Sequence, residues 1–468
     1  MKVVSKKWTF LFIGLTVMIL AALFTESPAA AEAGAAINQA DTAWMIVAAA
    51  LVLLMTPGLS FFYGGMVSRR NVISTMLQSF ISLGVVSILW YVIGFSLAFG
   101  DSIGGVIGNP FTYMNFKGVG LAPSDTFATT IPFLLFALFQ LKFAIITPAL
   151  ITGSFAERVR FSGYLLFIVL FSLFIYAPLA HWTWHPEGFL HKWGVLDFAG
   201  GTVVHMSAGF AALAGAVVLG RRKSHEMRAH STPANIPYII LGTGLLWFGW
   251  FGFNAGSALG ANADAVQAFA TTNMASAAAM ISWILFDAMR GRPISAVGAC
   301  IGAVVGLVAV TPAAGFITIG QSLFIGMSSA VISNIALYYK NRSELDDTLD
   351  VFPCHGIGGI SGMLLTAVFA KDVGLWYGES TTMLYHLAAL GIVGAYTFGG
   401  SYILYKITAA FAPLRVSAGE EDRGLDLSQH GESLDLPEWL IRDAEQNEVI
   451  HPADDKEAAP KEPELIEN

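Results

Sequence analysis

The sequence predicts an all-α membrane protein: eleven transmembrane helices in a five-plus-five inverted repeat, N-terminus outside and C-terminus cytoplasmic. The first observation is compositional. Of 468 residues, 55% are hydrophobic and only 12% charged, where a soluble domain carries roughly 25% charged residues, and mean hydropathy is +0.63. Second, apolar stretches of about 20 residues, the length a helix needs to span a bilayer, recur from Asp41 to Pro413 between short polar or Gly/Pro-rich joints. A β-barrel would instead alternate apolar and polar residues over strands of about ten. Third, the basic residues gather on alternate joints.

In chain order, residues 1–33 read as a secretory signal peptide: Lys2, Lys6 and Lys7, an apolar run from Trp8 to Phe24, then small residues through Ala33. Cleavage there leaves the mature N-terminus outside; the alternative is a retained first helix. Spans follow at about 42–66, 72–99, 129–153, 161–181, 199–220, 236–255, 264–288, 293–312, 314–339, 353–371 and 382–411. Arg69 and Arg70, Arg158 and Arg160, Arg221 to Lys223 with Arg228, Arg290 and Arg292, Lys340 and Arg342, and finally Arg415 fall on every second joint, with Lys117, Lys192 and Lys371 as exceptions on the intervening ones. The positive-inside rule places those joints in the cytoplasm. An odd span count agrees.

The net charge of −8 comes from acids after Arg415, so neither a basic surface nor a nucleic-acid partner is indicated. Cys300 and Cys354 lie in or beside apolar spans and form neither a disulfide framework nor a metal pattern. No cofactor or metal is expected.

His205 and His355 stand out, each inside an otherwise apolar run. An ionisable side chain at membrane depth is a functional-site hypothesis by default. They fall in the fifth and tenth spans, each followed at the same offset by a small-residue pair, Ala208-Gly209 and Gly358-Gly359. Five spans per half would invert the second half and bring both histidines to a shared axis, with the small residues allowing close helix contact. A lone buried histidine is more often structural, but a pair without a carboxylate partner in either span favours function.

Other residues look out of place: Phe139-Gln-Leu-Lys-Phe143 in the third span, Ala180-His-Trp-Thr-Trp184 on the joint after the fourth, Asp197-Phe-Ala-Gly-Gly-Thr-Val-Val-His205 opening the fifth, and Trp250-Phe-Gly-Phe-Asn-Ala-Gly-Ser257 closing the sixth. With the tail motif Gly424-Leu-Asp-Leu-Ser-Gln-His-Gly431, these make residues 41–447 closely resemble the ammonium transporter family (Amt/Mep/Rh), in its bacterial Amt branch. The resemblance implies a narrow pore in each subunit of a homotrimer, moving NH4+/NH3 across the cytoplasmic (inner) membrane.

By that resemblance Trp184, Phe143 and Ser257 form an outer ammonium site, Phe143 and Phe253 a gate, and His205 and His355 the pore's twin histidines. Physically, an indole face attracts a small cation by ~0.5–2 kcal/mol, though a tryptophan there also suits an interfacial belt. Phenylalanine in a membrane helix is ordinarily packing, and only the resemblance promotes these two. Facing imidazoles can hold one proton between them. Asp197 reads first as an N-cap of the fifth helix, with a supporting role beside the ammonium site. Potassium, which cannot shed a proton, would stop outside a pore without a carbonyl ring. Electroneutral NH3 passage and separate proton and NH3 passage are both open, the electrogenic sum being preferred.

The transporter domain is therefore expected at 41–413, a cytoplasmic regulatory tail at 414–447 and a disordered acidic end at 448–468. The resemblance makes a PII signal protein a possible partner of the tail. A sensor that transports little is one rival, supported by the tail alone. A membrane enzyme using His181 and His185 as metal ligands is another, disfavoured because no HExxH run is present and Pro186 breaks the helix.

Overall fold

The computed structural model describes residues 12–17, 20, 37–227 and 232–434. The expected signal peptide therefore lies largely, and the acidic end at 448–468 wholly, outside the described residues. We number the main helices α1 (Gln39–Met66), α2 (Arg69–Phe99), α3 (Phe133–Phe155), α4 (Phe161–Lys192), α5 (Gly201–Leu219), α6 (Ile236–Gly256), α7 (Ala263–Met289), α8 (Ala296–Val310), α9 (Ile319–Lys340), α10 (Phe352–Phe369) and α11 (Thr381–Phe411). Among the described residues, ten are long and apolar enough to cross a membrane; α8, with 15 residues, is shorter. At 1.5 Å per residue α8 reaches about 22 Å, against a hydrocarbon core of about 30 Å. Its expected bounds of 293–312 include flanking turns. This is a multi-pass membrane protein.

Side-chain caps start several helices. Asn38 accepts from the backbone of Ala40 and Asp41, Asn235 from Tyr238, Asn262 from Ala265 and Ser295 from Gly298. Thr318 and Gln321 cap each other reciprocally at α9. Such caps satisfy amides that have no carbonyl within the helix. On the joint after α2, β1 (Ser102–Ile103) pairs antiparallel with β2 (Ile107–Gly108).

The fourth span departs from expectation. Helix continues past 181 through a π-turn at Ser172–Tyr176 to Trp184, so His181 and Trp184 sit on a helix and not on a joint. Pro186 follows where regular helix stops, and a short turn resumes at Phe189–Lys192.

Two glycine-lined seams hold the centre. A methyl on Gly242 of α6 would lie 2.3 Å from the Phe62 nitrogen of α1, and one on Gly252 would lie 2.6 Å from the Ala48 carbonyl. Between α5 and α10, a methyl on Gly209 would lie 2.3 Å from the Gly356 backbone. A methyl on Gly359 would meet Gly201 and Met206 at 3.1 Å. Each glycine four residues past a histidine thus packs on the residue just past the other histidine. The small-residue pairs read from the sequence do bring these helices together.

The face bearing the basic joints is held by ions. Partly buried Arg222 contacts Asp346 at 2.8 Å and Glu157 at 2.7 Å, and buried Arg158 donates to the Asp346 carbonyl and to Thr348. Burial alone would raise the Asp346 carboxyl, but its Arg222 hydrogen bonds and the Arg158 charge bring it down to about 2. The tail packs on this face: Glu420 on Arg160, Glu421 on Arg415 and the Lys223 amide, and Asp426 on the Ile73 and Ser74 amides near the start of α2.

Candidate functional site

On the face opposite the tail, a cavity of about 260 Å³ is lined by Trp184, Phe143, Ser257, Gln140, Phe127 and Phe136, among others. The Trp184 indole donates to the Asp197 carbonyl at 3.1 Å, which fixes the ring. Phe143 meets it edge-on, centroids 5.7 Å apart at 80°. The Ser257 hydroxyl donates to the Phe253 carbonyl at 2.9 Å, so its lone pairs remain available to an N–H donor.

Gln140 was not singled out from the sequence, although it lies in the quoted Phe139–Phe143 segment. The residue lines this cavity, and its Oε1 is buried without a hydrogen-bond partner among the described residues. An unpaired buried acceptor costs about 1–3 kcal/mol, so a site that gains by receiving a donor is what this geometry offers.

Phe143, which lines the cavity, packs against Phe253, centroids 4.3 Å apart and planes tilted by 39°. The rings overlap but are not parallel. Beyond them Phe253 lies 6.0 Å from the His205 ring, and Trp250 stacks on His205 at 5.4 Å and 22°.

His205 and His355 are 1% and 3% exposed and face one another, Nδ1 to Nδ1, at 3.4 Å. Both sit on π-turns, Gly201–Met206 and Phe352–Ile357, that open α5 and α10. Such turns interrupt the regular i to i−4 ladder and are frequent at functional sites. On the far side, His355 borders a small cavity with Cys354, Tyr63 and Leu349.

Thr311, at the end of α8, was not anticipated. Its hydroxyl donates to the Leu307 carbonyl at 2.7 Å and accepts from the Trp250 indole at 2.9 Å. His205 Nε2 lies 3.3 Å away. A hydroxyl has one hydrogen and two acceptor positions. With the hydrogen directed to Leu307, the hydroxyl offers Nε2 of His205 an acceptor, which favours the tautomer in which Nδ1 of His205 accepts from Nδ1 of His355.

Asp197 does not reach the histidines. Its carboxylate accepts from the Gly200 and Gly201 amides at 2.8 and 2.6 Å, the Thr202 amide at 2.8 Å and the Thr202 hydroxyl. It thus holds the first turn of α5, and the left-handed Gly200 (φ 119°) lets the loop fold back onto it. Asp197 accepts these amides from three residues before the N-cap position, which is Gly200, rather than as the N-cap residue itself.

The profile of the Ammonium Transporter Family matches residues 43–434. The chain belongs to this family. It is 45% identical over 408 residues to a putative ammonium transporter of Methanothermobacter thermautotrophicus, covering 85% of this chain and 98% of the relative. It is similar to the crystal structure of Candida albicans Mep2, at TM-score 0.78 and 34% identity over 82% of this chain and 88% of that one. A solved sensor Amt protein matches at TM-score 0.77 and 30% identity over 84% of this chain and 98% of that one. Members of the family are channel-like transporters and not enzymes. Among the described residues no group of three or more His, Cys, Asp or Glu could hold a metal ion, and His181 is instead bonded to Ser102 and the Ala98 carbonyl.

Proposed function

We propose that this protein is an ammonium transporter of the cytoplasmic membrane. Ammonium is drawn into the cavity by the Trp184 face and the Phe143 ring and accepted by Ser257. The Phe143–Phe253 pair then yields by ring rotation, and the substrate crosses as NH3 past the imidazoles while its proton passes through the pair. The observation that carries the reading is the alignment of an aromatic-walled cavity, a ring pair and two imidazoles that face each other at 3.4 Å with no carboxylate between them. An uncompensated charge in such surroundings is costly, so a substrate that can enter as a cation and cross neutral suits the path.

The five-plus-five repeat is supported by reciprocity. Helices equivalent under it, α1 with α6 and α5 with α10, pack on each other through glycines. The two π-turns occupy matching positions. With α8 counted as a span, the bundle has eleven and the N-terminus lies outside. Homotrimer assembly and response to a PII protein through the tail at 414–447 follow from family membership as further parts of the proposal.

Potassium current in protein-normalised liposomes tests the reading. The parent should exclude potassium, whereas His205→Asp or His355→Glu should admit it, because a fixed carboxylate favours a permanent cation and draws water inward. A well-folded acidic variant that still rejects potassium would sink the relay-and-filter mechanism.

A further inference from the structure

Two polar side chains interrupt outward faces of the bundle at the same depth. On α3 that face carries Leu134, Leu138 and Lys142 at successive turns, with Leu138 exposed and the other two half-buried. On α7 it carries Val266, Phe269, Ile281 and Leu285, all exposed, and among them the half-buried Asn273. Among the described residues Lys142 has neither an ion-pair nor a hydrogen-bond partner. The Asn273 amide has only a 3.9 Å contact with the Met274 sulfur, and its carbonyl accepts nothing.

The first turn of α1 fixes their common level. The Asn38 amide donates to the Thr130 carbonyl at 2.7 Å just before α3, and the Asp41 carboxylate accepts from the Ala261 amide at 2.8 Å just before α7. Lys142 and Asn273 each lie twelve residues beyond these anchors. Counted from Phe133 and Ala263, where the helices begin, a rise of 1.5 Å per residue puts both about 14–15 Å down, near the middle of a hydrocarbon core about 30 Å thick. A lysine's four-carbon stem cannot carry its ammonium from there to the interface. A charge at that depth is costly unless it is paired.

Helix α1 packs on α3 and on α6, and α6 packs in turn on α7. The outward faces of α3 and α7 therefore flank the α1–α6 pair. Unlike faces of this kind meet head to tail when copies are arranged in a closed ring. We propose that in the homotrimer, on which this inference rests, the Lys142 ammonium of each copy donates to the Asn273 side-chain carbonyl of the next. The lysine has donors without an acceptor, the asparagine has an acceptor without a donor, and hydrocarbon supplies neither. Bilayer lipid is the competing occupant of these two faces. It would leave Lys142 bare where a charge costs most, and it gives the amide of Asn273 no partner.

Native mass spectrometry of the full chain in detergent, with trimer dissociation followed against temperature, tests the pair through a double-mutant cycle. Asn273→Leu should raise the subunit dissociation constant by on the order of tenfold, because it sets an apolar surface against a cation. Lys142→Met should weaken the trimer by less, since it leaves only a neutral amide unmatched. The double variant Lys142→Met/Asn273→Leu should recover most of the loss, as an apolar pair then replaces the polar one. Both side chains lie on outward faces, so unfolding of the subunit itself should be unchanged; should Asn273→Leu fold poorly, Asn273→Val carries the same arm. A monomeric parent would overturn the homotrimer and this pairing together. A trimeric parent whose single variants dissociate as it does, or whose losses simply add in the double variant, would overturn the pairing alone and return the two faces to lipid.

Discussion

Two of the places where the protein buries ionisable groups treat them oppositely. At the tail-bearing face, Arg158 is buried and Arg222 partly so, and Asp346 and Glu157 answer them. At the centre of the bundle, His205 and His355 are buried just as deeply, and their polar partners are each other and the neutral Thr311. A buried charge must be paired or abolished. Arginine cannot be neutralised by losing a proton in a protein, so it must be paired. Histidine can lose its proton, so it can stand unpaired in a dry core. The first arrangement makes a rigid base for the bundle; the second leaves a group that can still accept or pass a proton.

The paired region breaks most severely. Asp346→Ala removes the carboxylate that serves Arg222 and lies 4.0 Å from Arg158, leaving buried cations undercompensated. A loss of about 3–5 kcal/mol is expected, visible as a sharp fall in unfolding temperature and in folded yield. Loss of transport with no loss of stability would remove the architectural reading of this network.

The central seam should come next. Gly209→Leu places a side chain where the Gly356 backbone is 2.3 Å from the first added carbon. Backbone cannot retreat as a side-chain tip can, so overpacking of about 1–3 kcal/mol or more should result. Because the two helices carry the facing histidines, ammonium-evoked current should fall in protein that remains folded. Gly244→Ala, where nothing lies within 4 Å, is the control.

Acid sharpens the contrast without mutation. The Asp346 carboxyl in the folded chain stands at about 2, below its ordinary 3.8. A depressed carboxyl contributes stability above its unfolded value and loses it as pH falls toward the folded one. On the order of 2 kcal/mol should therefore vanish between about pH 4 and pH 2. Unfolding temperature against pH measures this, and Asp346→Asn should flatten the curve.

Much of this was legible in the sequence for a physical reason. Period, length and charge on alternate joints are local, so the spans at 236–255 and 382–411 agree closely with Ile236–Gly256 and Thr381–Phe411. The histidines were legible because an ionisable residue in an apolar run is costly wherever the chain goes. The end of the fourth span was not: Ala180 to Trp184 holds His, Trp and Thr, polar enough to read as a joint, yet packing keeps it helical. Thr311 was invisible as well. One threonine before a proline at the end of an apolar helix looks like an ordinary terminus, and its importance comes only from α6 and α5 bringing Trp250 and His205 to it.

That threonine gives a smaller but more selective test. Thr311→Val keeps the shape and removes the hydroxyl, leaving the Trp250 indole and His205 Nε2 without their partner at about 1–3 kcal/mol for each group left unpaired. If the hydroxyl fixes the proton order of the imidazoles, current should fall and its pH dependence should shift while folding persists. Thr311→Ser should restore both. A valine variant with parental current and pH profile would show that the histidines need no such orientation.

The smallest effect belongs to Trp184. Its ring is half-buried at the cavity and its indole N–H is tied to the Asp197 carbonyl, so Trp184→Leu removes a cation-attracting face and one hydrogen bond while disturbing little of the core. At ~0.5–2 kcal/mol for the cation–π contact, the apparent ammonium affinity should weaken by between about twofold and thirtyfold, with the maximal current largely kept. Trp184→Phe should lie between, since a benzene face retains part of the attraction. On the proposed function the histidine pair should act on the maximal current and the cavity on concentration dependence, so the comparison separates the two. If Trp184→Leu lowers the maximum and leaves the concentration dependence unchanged, the ring is part of the barrier and the cation is gathered elsewhere in the cavity, with Gln140 the next residue to change.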